Sequence, residues 1–154
     1  MTPKNLILKM TKYASVTLLA TSVFVSCSTS SDSKANEQDL ELCDRWFAKY
    51  GSEERVIVNF IENYEVREGT RAGFDAAIAA ATSLEGLATL AAERTASLSK
   101  NGKDFFSDIE TAFSEASTSI ALKGGSIGPD QVELLNEVVV ATETLKTFCN
   151  PPTE

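Results

Sequence analysis

Residues 105–120 read FFSDIETAFSEASTSI. Phe105, Phe106, Ile109, Phe113, Ala116 and Ile120 recur there at three- and four-residue spacing. An α-helix turns once in about 3.6 residues, so these side chains share one face and the polar ones fill the other. A half-buried strand would alternate with period two instead. Working outward, Asn101-Gly102 reads as a stop, which starts this helix near residue 103. On the other side the run GGSIGP at 124–129 is a loop, and Pro129 suits the first turn of a new helix because its missing N–H would have no partner there. Val132, Leu135, Val139, Leu145 and Cys149 line that helix, and Pro151 and Pro152 stop it.

The same period extends toward the N-terminus. An alanine-rich stretch, 71–99, carries Phe74, Ile78, Ala81, Leu84, Leu87, Ala88, Ala91 and Leu98, with Gly86 as a point of breakage or kinking. Within it, 76–92 holds a single charge, Glu85, but small and polar residues dominate, which suits close packing of a core helix better than a bilayer span. Leu42, Cys43, Trp46, Phe47 and Tyr50 form an earlier stripe. Gly51 is expected to end it and Ser52 to cap the next helix, which carries Ile57, Phe60, Ile61 and Tyr64. The segment VIVNFI (56–61), taken alone, also fits a strand. With no βαβ alternation and no series of short strands, the expected fold is all-α. It is a bundle of about four to five helices spanning 39–150, with 71–99, 103–123 and 129–149 as its body and 151–154 as a tail.

Composition excludes several chemistries. The 154 residues hold 14 Lys+Arg, 22 Asp+Glu and no His, for a net charge of −8. An acidic chain lacks the basic footprint of a nucleic-acid binder. Without His there is no Ser-His-Asp or Cys-His catalysis, no Glu-x-x-His di-iron site and no imidazole metal ligand. Asn101-Gly102-Lys103-Asp104 lacks the acid pattern of a calcium loop, and the glycine-rich loop at 124–128 has no Lys-Ser/Thr to make it a phosphate loop. The carboxylate pairs Glu62/Glu65 and Asp108/Glu115 read as solvated faces of an acidic protein. No catalytic residue, cofactor or metal site is expected.

The N-terminus carries a more specific pattern. Lys4, Lys9 and Lys12 are the only charges in the first 31 residues, and an apolar run, SVTLLATSVFVS (15–26), follows them. That run is shorter than the ~20 residues needed to span a bilayer. A basic segment, an apolar segment and small residues before a cut make a secretory signal peptide. Phe24-Val25-Ser26-Cys27 resembles the lipobox of bacterial lipoproteins, with Phe24 where that family usually has Leu. The resemblance covers residues 1–28. It implies a signal peptide over 1–26, lipidation of Cys27, and anchoring on the extracytoplasmic side of a cell membrane or outer membrane. Residues 27–38 would then be the lipidated cysteine and a Ser-rich spacer with no large apolar side chain. Ordinary cleavage after Ser22, with Ala20 and Ser22 as the small-x-small pair, and an uncleaved anchor are the alternatives.

The cysteines are read in that light. There are three, Cys27, Cys43 and Cys149. If Cys27 takes the lipid, the other two are free to pair in an oxidising compartment, closing a loop across 106 residues. The alternative is two separately buried thiols. Trp46, Phe47 and Tyr50 are the densest aromatic cluster. They are either core beside the staple or an exposed anchor for a partner, since Trp and Tyr are common hot spots. The expected role is a noncatalytic module at the envelope, tethered to the membrane by lipid and binding an envelope protein. A helical carrier of a small ligand or lipid is the alternative, and a carboxylate enzyme has no motif behind it.

Overall fold

The computed structural model describes residues 34–93, 96–124 and 126–150. The expected signal peptide, Cys27, the expected spacer as far as residue 33 and the tail at 151–154 lie outside the described residues. The described chain is all-α, with four helices: α1 (Glu37–Arg67), α2 (Arg71–Ala91), α3 (Lys100–Lys123) and α4 (Pro129–Cys149). They run up and down, and each packs along the next.

Helix α1 departs most from expectation. It is one helix of 31 residues, running straight through Gly51 and through 56–61, the segment that also fitted a strand. A helical Gly costs only about 1 kcal/mol relative to Ala. The stripes before and after it, Leu42-Cys43-Trp46 and Ile57-Phe60, are both buried on one continuous face, and that packing outweighs the cost. Ser52 caps nothing; its hydroxyl donates to the Lys49 carbonyl at 2.6 Å, within the helix.

The start of α1 also corrects the expected boundary at Asp39. Asn36 is the N-cap, and Asn36 and Asp39 cap each other. The Asp39 N–H donates to Asn36 Oδ1 and the Asn36 N–H to Asp39 Oδ2, both at 2.8 Å. Asp39 is fully buried, and its Oδ1 accepts a third bond, from the Ser99 N–H at 3.1 Å. The Asn36 amide donates to the Ser97 carbonyl at 3.0 Å. One carboxylate thus sits at the N-terminal ends of α1 and α3 together, where both helix dipoles favour a negative charge. This knot holds 97–99 out of α2, which ends at Ala91 rather than near 99. Ser99 caps α3 instead, accepting from the Gly102 N–H at 2.9 Å, so Asn101-Gly102 opens that helix rather than stopping a previous one.

Gly86 neither breaks nor kinks α2 into two; the Lys49 side chain of α1 lies against it, so that an added Cβ would come within 3.2 Å of Lys49 Cε. Small residues let α2 lie close to its neighbours, with Ala77, Ala80, Ala81, Leu84, Leu87 and Ala88 buried. It is also the one described helix long and apolar enough to cross a membrane, though nearly half of that window is buried in the bundle. Phe74 and Ile78, expected in the core, are about half exposed (49% and 48%). They lie beside the alanine stripe rather than on it. The turn after α3 needs a left-handed residue, supplied by Gly124 at φ 59°. On α4 the core side chains are Leu135, Val138, Thr142, Leu145, Phe148 and Cys149, whereas Val132 and Val139 are only half-buried.

Candidate functional site

Cys43 and Cys149 are bonded, with their Cα atoms 6.0 Å apart, and both are buried. The bond joins the second turn of α1 to the last turn of α4. Three residues beyond Cys43, one turn along α1, Trp46 is completely buried. Its indole N–H donates to the Leu87 carbonyl of α2 at 3.2 Å, which satisfies the one polar atom of the ring. The ring meets Phe113 of α3 edge-on at 5.4 Å and Phe47 edge-on at 5.1 Å. Of the two roles open to Trp46, its burial is that of core. A fully enclosed side chain is not an exposed anchor.

Phe47 and Tyr50 differ from it. Both are half-buried. Tyr50 stacks on Trp46 with ring centres 5.2 Å apart and planes 15° from parallel. Its phenol sits beside Glu54 of α1 and Glu143 of α4. Burial first, then these two carboxylates, push its pKa up from 10.0 to about 12. Tyr50 therefore marks the line where α1 and α4 face each other past the staple.

The sign of that shift gives a pH prediction. Between pH 10 and about 12 the unfolded chain releases the Tyr50 proton while the folded chain keeps it. The folded state then binds more protons, so stability falls as pH rises through this window. In urea melts from pH 9 to 12, the stability of the Tyr50→Phe chain is expected to fall less steeply than that of the parent. Parallel curves would refute the assignment.

The other flank of α1 is polar and paired. Glu53 accepts from the Ser83 hydroxyl of α2 at 2.6 Å and lies 3.4 Å from Lys49. The Ser83 bond, more than Lys49, holds its carboxyl below the ordinary range despite partial burial. Arg45 pairs with Glu93, two residues past the end of α2. Asp108 and Glu115 are exposed on α3, as solvated acids are. Among the described residues no group of His, Cys, Asp or Glu is arranged to hold a metal ion. Cys27 lies outside the described residues. Sequence reasoning missed Glu143 as a neighbour of Tyr50, because pairing Cys43 with Cys149 does not by itself say which side chains of the two helices meet past the staple.

The chain matches no protein family, no curated protein and no solved structure.

Proposed function

We propose that this protein is a bacterial lipoprotein, exported and anchored through Cys27, whose bundle is a noncatalytic protein-binding module at the cell envelope. The observation that carries it is the division of the cysteines. Two of the three form a bond suited to an oxidising compartment, and the third directly follows Ser26 at the end of a signal-like segment. The half-buried aromatic pair Phe47 and Tyr50, beside a completely enclosed Trp46, supports a contact surface near the staple. Net acidity supports membrane attachment by lipid rather than by a polybasic patch.

Intact mass of the protein extracted from its native membranes tests the anchor. The expected species starts at Cys27, carries added acyl mass, and gains two hydrogens on reduction. A start elsewhere without lipid would overturn the reading in favour of a free secreted protein.

A further inference from the structure

Helix α1 packs along α2, α2 along α3 and α3 along α4, but α1 and α4 scarcely touch apart from the Cys43–Cys149 bond. The bundle therefore has one seam without a closely packed wall, pinned at one end by the disulfide. Stepping along α1 from Cys43 by three or four residues reaches Phe47, Tyr50, Glu54, Val58 and Ile61 on the flank toward α4, and all five are half-buried. Stepping back from Cys149 along α4 reaches Val139 and Val132, half-buried in the same way. A closed four-helix bundle would bury these positions. Here the apolar ones among them form a strip with water on one side.

Charge selects what covers it. Glu54 and Glu143 flank Tyr50 from the two helices, and the nearby Lys146 is already 3.9 Å from Glu143. At a net −8, a second copy of the chain or an anionic membrane surface would be repelled. The span from Cys43 to Ile61 matches a partner helix of about five turns.

We propose that the seam between α1 and α4 is a docking groove for a cationic amphipathic helix of a partner protein, which lays its apolar face on Phe47, Val58, Ile61 and Val139 and sets its cations against Glu54 and Glu143. This rests on the protein-binding reading above and names the partner's chemistry.

The test uses the natural protein in nanodiscs of zwitterionic lipid and an 18-residue synthetic Leu–Lys amphipathic helix, with its Leu–Glu counterpart as control. Hydrogen exchange is expected to slow on 47–61 and 132–143 when the Leu–Lys peptide binds, and not when the Leu–Glu peptide is added. Glu54→Lys/Glu143→Lys is expected to weaken binding at least tenfold. Asp75→Lys/Glu85→Lys removes equal charge from α2 and is expected to change it less than twofold. Thermal melts of both variants establish that each is folded. Equal weakening by the two pairs, protection confined to other segments, an absence of saturable binding, or a dimer that occupies the seam would overturn the proposal. The mass measurement reports on export and lipid independently, so a lipidated protein without this footprint overturns the docking groove alone.

Discussion

The Cys43→Ala/Cys149→Ala chain is expected to melt about 15–25 °C below the parent, the largest loss available from a change to two small side chains. The bond closes a loop across 106 residues. In the chain-entropy description, opening a loop of that size returns about 4–5 kcal/mol of freedom to the unfolded state. Little else compensates in the folded state, because α1 and α4 share few other contacts through which to stay aligned. The parent under reductant should melt within a few degrees of the double variant, since both lose the same constraint. Scanning calorimetry on the three samples checks this. A double variant within 5 °C of the oxidised parent would mean that the packing of α1 on α2, not the bond, holds that end.

Gly102→Ala is expected to destabilise by about 2–4 kcal/mol, against the rule that Ala in place of a helical Gly stabilises by about 1 kcal/mol. An added Cβ would stand 2.0 Å from Asp39 Oδ1 and 2.7 Å from its Cγ. Asp39 has nowhere to retreat. It is fully buried, and moving it leaves the Asn36 and Ser99 N–H groups without their acceptor. Gly51→Ala supplies the contrast, because nothing lies within 4 Å of that position and the helix is exposed there. It should stabilise by about 0.5–1 kcal/mol. Urea melts of both single variants, and of Gly102→Ala in an Asp39→Ala background, test the argument. The clash requires both side chains, so the second substitution should cost much less once the first is present. Additive effects would show that Gly102 matters for its backbone rather than for the space above it.

What was legible in the sequence follows from what period and punctuation encode. The stripe through Phe106, Ile109 and Phe113 placed α3, and Pro129 placed the start of α4, because both signals are local. Gly51 misled because the cost of a helical glycine is small beside the burial of Trp46 on one side of it and Phe60 on the other, and that burial depends on where α2 lies. Asp39 was read as the first residue of a domain. The spacing Asn36-x-x-Asp39 is a capping pattern, but its third bond, to Ser99, spans 60 residues and leaves no local trace. Phe74 and Val139 are apolar residues at helical spacing, yet which edge of a stripe is left uncovered is decided by which helices are neighbours. The aromatic cluster was found as a unit; its division into an enclosed Trp46 and half-open Phe47 and Tyr50 belongs to the packing.

The position of the staple also fixes how the domain responds to being pulled. Tension applied at residue 36 reaches Cys43 within about two helical turns, and from there passes through a covalent bond to the end of α4. While that bond holds, only the few residues before Cys43 can lengthen, by roughly 10–15 Å on going from helix to extended chain. Once it is cut, the 106-residue loop can pay out to about 350 Å. Pulled from residue 36 against residue 150, the bundle would thus give up at most the first two turns of α1, while the sulfur–sulfur bond keeps the rest of the helices out of the load path.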